Sequence, residues 1–417
     1  VANKSTSGSD SWLWDTSAVP EGTYWIYTIV SDGLNETRCY APTPVIIKHT
    51  ALPVINLSKT KVVFGGEVGG SITGEETIYI TNGGEGVLNW QASTSANWLT
   101  VNPDSGSGNG KIQVGVDISA LSPGSYSGSI LISDPQASNS PQVVNVELMV
   151  YAPGGTSPPF GVFDTPVDGA RVSGNIPVTG WALDDVEVEK VEIKRAPVSS
   201  DPPEVIGADG LVYIGDAVFV RGARPDVEAA YSEYPKADRA GWGYMMLTNF
   251  LPNSGNGTFT IYAIAYDGSG HRVELGQKVI VCDNAHRVKP FGTIDTPGQG
   301  EVISGASYVN FGWALTPQPK YIPYDGSTIW VFVDGVPLGH PVYNNYRQDI
   351  ATLFPGYANS DGAVGYYYLD TTVYENGVHN IAWSVTDNEG ETDGIGSRYF
   401  EVQNLACLLY TSPSPRD

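Results

Sequence analysis

Along most of the chain, apolar residues recur at alternate positions in short runs that Gly, Pro, Asn and Asp cut off. Tyr24, Ile26, Thr28 and Val30 alternate in one such run, and KIQVGVDIS, GSYSGSILISDP and QVVNVELMV follow the same rule further on. A period of two marks a strand with one buried face, and the β-branched and aromatic residues that fill these runs suit a pleated surface. No segment keeps a helical period over three or more turns. No apolar stretch approaches the length of a membrane span. The pattern predicts an all-β chain rich in turns.

The second half states its pattern twice. FGVFDTPVDGARVSGNIPVTGWAL (160–183) returns as FGTIDTPGQGEVISGASYVNFGWAL (291–315). RPDVEAAYSEYPKADRAGWGY (224–244) is answered by RQDIATLFPGYANSDGAVGY (347–366), and GNGTFTIYAIAYDGSG (255–270) by ENGVHNIAWSVTDNEG (375–390). Three matched blocks in one order identify a duplicated module. At 417 residues the chain suits about three or four domains. The divisions expected are the end of a truncated domain at 1–49, a sandwich at 51–151, a Pro/Gly/Ser linker at 152–159 and repeats at 160–284 and 285–404, with 405–417 set aside.

Three resemblances attach to these segments. Residues 51–151, with Trp98, PDSGSG, an alternating strand, Pro-Gly-Ser-Tyr and a final apolar strand, resemble the BACON family. That resemblance implies an immunoglobulin-like sandwich with a suspected link to carbohydrate. Residues 1–49 resemble the C-terminal half of fibronectin-III-like or immunoglobulin-like modules, and the two repeats are similar to tandem immunoglobulin-like modules of bacterial secreted proteins. The end, CLLYTSPSPRD (407–417), resembles a translated sequencing adapter, so the chain reads as a metagenomic fragment. The fold class expected is all-β, with tandem immunoglobulin-like β-sandwich domains.

The formal charge of −23, spread thinly, argues against nucleic acid, which demands basic stripes. With Cys407 set aside, Cys39 and Cys282 fall in different segments and make neither a disulfide framework nor a zinc site.

Candidate chemistry is sparse. SGSGNGK (105–111) lacks the first Gly and the Ser or Thr of a phosphate loop and reads as a turn. His49, His271, His286, His340 and His379 lie scattered, with no serine elbow and no paired-histidine zinc motif. DNEGETD (387–393) has the oxygen-rich look of a calcium loop, but the first copy lacks the later acids, and Asp387 and Asp393 read rather as a charged hairpin turn. Asp164 and Asp295, each before Thr-Pro, are expected in Asx-turns. Arg224 with Asp226, and Arg347 with Asp349, would share a strand face if extended and are expected to pair as anchors of a long crossover loop; an exposed recognition pair is the alternative.

Aromatic faces stack on sugar rings. The carbohydrate-binding candidates are Trp98, Trp242, Tyr244, Tyr366 and Tyr368, with Trp90 beside them; Trp98, Trp181 and Trp313 are read mainly as core. The function expected is a non-enzymatic fragment of a large bacterial secreted or cell-surface protein, a spacer and adhesion array with weak glycan affinity multiplied by repetition. Glycans or surface proteins are the partners expected, with no cofactor and no metal. The alternatives are an accessory region of a secreted hydrolase or protease, and a purely structural stalk.

Overall fold

The computed structural model describes residues 14–16, 18–47 and 52–404, so the adapter-like tail and His49 lie outside the described residues. The fold is all-β, in tandem sandwiches, with short helices confined to crossovers. The first described residues form two small ribbons, Gly22–Tyr24 with Val45–Ile47 and Tyr27–Ser31 with Glu36–Tyr40. Ile29 and Val30 in the second ribbon, and Trp25 between the two, are exposed.

The next sandwich packs a five-stranded sheet on a four-stranded one. The first runs Ser105–Ser107, Asn89–Thr94, Gly124–Ser133, Gln142–Tyr151, Lys61–Glu67, and the second Ile55–Leu57, Glu76–Asn82, Gly110–Val116, Leu99–Asn102. Alternation decides the core: Val144, Val146, Leu148 and Val150 point inward and are buried, while the residues between them are exposed.

The repeats share one plan with one difference. In the first, the strand Val212–Phe219 pairs with Val188–Arg195 along most of its length and with Gly241–Leu247 at its end, joining eight strands into one folded sheet. In the second, the corresponding strand is split into Val336–Gly339 and Val342–Asn345, giving separate sheets of five and four strands. Pro341 stands in the break, where a residue without an amide proton cannot continue a ladder.

Trp313 is buried, as the core reading expected, but neither GWAL tryptophan lies between the sheets. Along Tyr308–Leu315, Asn310, Gly312 and Ala314 face the inter-sheet core, which puts Trp313 on the outer face. The crossover carrying the helix Gln348–Leu353 covers it there, with Ile350, Phe354 and Phe291 around the indole. Trp181 lies half-buried at the matching place under Tyr231 and Phe160.

The sandwiches are docked on one another. Lys236, in the first repeat, donates to the carbonyls of Gly74 and Glu75 at 2.8 and 2.9 Å and pairs with Glu76 at 3.0 Å. Glu76, only 3 % exposed, also binds Lys59, which reaches Asp238 at 2.8 Å; Arg221 lies 3.3 Å from the same carboxylate. Positive and negative groups thus alternate across the junction. Thr73 donates to the Val186 carbonyl at 2.6 Å, and any side chain at Gly65 would strike the Asp185 carbonyl. The connecting residues 152–159 are tied down by bonds from the Gly154 amide to Glu67 and the Ser157 amide to Asp185. The second repeat reaches back as well, through Glu401 and Gln403 onto Tyr79. No helix among the described residues is long and apolar enough to cross a membrane.

Candidate functional site

Each repeat carries the same arginine clamp. Arg224 Nε and Nη2 donate to both oxygens of Asp226 at 2.9 and 2.8 Å, and Nη1 binds Asp164 at 2.5 Å. Arg347 holds Asp349 in the same way at 2.7 and 3.0 Å and turns Nη1 to Asp295. The expected pairs form, but not along a strand. Arg224 immediately precedes the helix Pro225–Ala230 and Arg347 the helix Gln348–Leu353, and each arginine folds back over the first turn onto the aspartate there. The Asx-turns expected at Asp164 and Asp295 are replaced by the third arm of the clamp, which ties the opening strand to the crossover. Bonding to Arg224 pulls the Asp226 carboxyl down to about 2, and Arg347 lowers that of Asp349. Burial raises Asp295 despite the opposing Arg347 charge.

Strand register revises the match between the copies. Gly180 lies opposite Trp242, and Gly312, its counterpart, lies opposite Gly365. Trp242 therefore corresponds to Gly365, Gly243 to Tyr366, Tyr244 to Tyr367 and Met245 to Tyr368. The shared Gly-Tyr in the two sequences is a match displaced by one residue, and in a strand one residue is the other face.

This displacement divides the aromatic candidates. Trp242 is 3 % exposed, against Gly180 and Phe163 in the core, so it is not a sugar platform. Tyr244 is half-buried on the same core. Tyr366 and Tyr368 instead face outward, Tyr368 59 % exposed, beside Phe311 at 40 %. Phe311 and Tyr366 sit directly opposite each other on neighbouring strands, centroids 6.3 Å apart, and Tyr366 and Tyr368 follow at 5.5 Å. An open groove of about 430 Å³ joins Phe311 and Tyr366 to Tyr346, Asp295 and Arg347. Phe311 and Tyr346 were not singled out from the sequence, although Phe311 shares a face with Trp313 by simple alternation.

In the first repeat the same outer face is small and covered. Thr179, Gly243 and Met245 stand where the second repeat has Phe311, Tyr366 and Tyr368. The second repeat's edge lies over them: a Cβ on Gly243 would come 3.8 Å from Gln299 Nε2, and one on Gly396 3.5 Å from the Met245 methyl. A cavity of about 210 Å³ remains between the repeats, lined by Arg224, Trp242, Tyr244, Arg398 and Tyr399. Arg398 donates to the Ile294 carbonyl, and burial lowers its pKa.

Trp98, 8 % exposed and edge-on to Tyr126, is core, as is Trp90, whose ring packs under Gly106 and Gly110 of the glycine-rich turn. Asp387 accepts the amides of Glu389 and Glu391 at 3.0 Å and lies 3.4 Å from Lys320, while Asp393 pairs with Arg287 at 2.8 Å. Asp387 is occupied in holding the turn, and Asp393 in binding Arg287 of the segment between the repeats. Asp267 caps the matching turn through the His271 amide at 2.7 Å. Among the described residues no three His, Cys, Asp or Glu side chains gather as a metal site, and Cys39 and Cys282 are unpaired.

Residues 54–145 match the family model described as the viral BACON domain. No curated protein matches the chain. Solved structures with similarity to it include fibronectin(III)-like modules of Clostridium thermocellum CbhA, 16 % identical over 58 % of this chain and 94 % of that one, with a TM-score of 0.19. Drosophila N-cadherin EC1-4 is 11 % identical over 94 % and 86 %, with a TM-score of 0.21. A Bacteroides ovatus GH5 xyloglucanase in complex with a XXXG heptasaccharide is 16 % identical over 30 % and 27 %, with a TM-score of 0.20.

Proposed function

We propose that this chain is a non-catalytic extracellular spacer and adhesion array whose sandwiches dock rigidly and hold their outer faces at fixed spacing. The observation that carries the reading is the alternating charge network through Lys236, Glu76, Lys59 and Asp238 at the junction of the 54–145 segment with the first repeat. Removing one member strands a buried charge, so the docked geometry resists hinging more than a contact of neutral rims would. A rigid array also keeps several weak faces within reach of one surface, the condition for avidity. The family matched at 54–145 is described as viral, so the surface served is that of a cell or of a virus particle. Glycan affinity in this reading rests on Tyr366 and Tyr368, since Trp98 and Trp242 are buried.

Small-angle scattering of the whole chain tests it. The profile should be that of docked sandwiches, and Glu76→Ala should expand it. A wild-type profile of beads on a flexible string would sink the proposal.

A further inference from the structure

From the contrast between the two outer faces, we infer that the open face of the second repeat is a binding site for a single soluble chain of neutral pyranose sugars, held by Phe311, Tyr366 and Tyr368 with the Arg347 clamp at its rim. This rests on the adhesion-array reading and gives it a ligand.

The two outer faces differ in a definite way. Where Thr179, Gly243 and Met245 let another module lie flat on the first repeat, the second repeat places three aromatic rings. Gln299 already passes close over Gly243, so a Tyr366-sized ring there would exclude the same docking. The second repeat's face is therefore unsuited to the docking seen on the first. Among the described residues nothing lies over Phe311 and Tyr368, which are exposed apolar surface, with Tyr366 half-buried between them.

The rim selects the ligand's charge. Arg347 is engaged on both sides, by Asp349 and by Asp295, and no other cation lines the groove. An anionic sugar would meet the Asp295 carboxylate, with Asp349 bound to the same arginine, and no free positive group in the groove's lining. A neutral one would offer hydroxyl donors to those oxygens and C–H faces to the rings. Tyr346, 67 % exposed at the groove's edge, adds a phenol within reach of the same chain.

Ring orientation selects the ligand's form. Phe311 and Tyr366 are inclined by 57°, and Tyr366 and Tyr368 by 76°. Coplanar rings would suit a flat crystalline surface. Rings turned in succession suit one twisted chain whose units present their faces in different directions.

Affinity electrophoresis of the whole chain tests this, with hydroxyethyl cellulose, galactomannan and arabinoxylan as neutral probes, polygalacturonate as an anionic one, and microcrystalline cellulose in a pull-down. Retardation by at least one neutral polymer is expected, weakened roughly tenfold by Tyr366→Ala or Tyr368→Ala. Polygalacturonate and the crystalline solid should be ignored. Both substitutions are at the surface, and unchanged melting and scattering will confirm that the fold persists. Absence of neutral binding, or binding indifferent to these residues, overturns the site, as does preference for polygalacturonate. Self-association in sedimentation that Tyr366→Ala abolishes would make the face a protein interface and also overturn it. Scattering reports separately on the array, so either idea can fall alone.

Discussion

Trp242 and Trp383 fill the same layer of the two repeats from opposite sheets. Trp242 stands on the strand Gly241–Leu247 and shares a core cluster with Ala263; in the second copy Gly365 takes the place of Trp242 and Trp383 that of Ala263. Each indole packs over the equivalent glycine, Gly180 or Gly312. The exchange conserves volume, as a close-packed core requires. It also moves the indole N–H: Trp383 donates to buried Asn310 at 2.7 Å, where the first repeat has Val178, and Trp242 Nε1 has no partner among the described residues.

Trp383→Ala should therefore cost about 3–5 kcal/mol, the range for truncating a buried aromatic. Asn310→Val should cost about 1–3 kcal/mol by leaving the indole unsatisfied. Exchanging the first repeat's pair, Trp242→Gly with Ala263→Trp, should recover much of what Trp242→Gly loses alone. Denaturant melts arranged as a double-mutant cycle read the coupling. Additive losses would show that the two rings do not share a space.

Asp184 sets a pH dependence. It is buried and accepts the Val186 and Glu187 amides, and burial, with the like charges of Asp185 and Asp267, pushes its carboxyl up to about 6. The folded chain thus holds this proton more tightly than the unfolded chain, so the contribution to stability is full below about pH 4 and fades as pH rises through 6. Asp184→Asn, which keeps the amide acceptor, should flatten melting temperature between pH 4 and 7. It should stabilise at pH 7 by roughly 2–3 kcal/mol. A steep slope surviving in the variant would place the titration elsewhere.

The clamp's arms differ in depth. Asp226 and Asp349 face solvent, whereas Asp295 is drawn in, with its carboxyl raised. Asp226→Ala should shift melting little, less than a buried partner would. Arg347→Met should cost about 1 kcal/mol at pH 7, limited by solvent around the pair. That loss should shrink near pH 4, where the stranded Asp295 takes up a proton. A loss that stays constant with pH would rule out the stranded charge as its cause.

The all-β architecture and the duplication were legible because period two and block repetition are local properties of the chain. The arginine pairs were legible too, since both copies keep them. What escaped depends on faces. The shared Gly-Tyr suggested that Tyr244 matches Tyr366, but only the ladder opposite Gly180 and Gly312 counts the residues correctly. GWAL reads as core by composition, yet alternation with Gly312 and Ala314 turns Trp313 outward, and a distant crossover buries it. Phe311 went unnoticed because exposure is a property of what fails to cover a residue.

Trp98 offers the sharpest separation of a structural from a binding role. The resemblance of its segment to a family linked with carbohydrate made it a candidate, but its ring is 8 % exposed, edge-on to Tyr126. A Cβ on Gly128 would stand 3.2 Å from the indole, so the strand Gly124–Ser133 packs close against its six-membered ring. A ring this little exposed offers no open face for a sugar to stack on. Trp98→Ala should destabilise the 54–145 sandwich by about 3–5 kcal/mol through the cavity it leaves. Binding of neutral polysaccharide by the folded variant, below its lowered melting temperature, should be unchanged. If binding vanished while circular dichroism and melting stayed those of the wild type, the ring would have to reach solvent in a conformation other than this one, and the core assignment would fall.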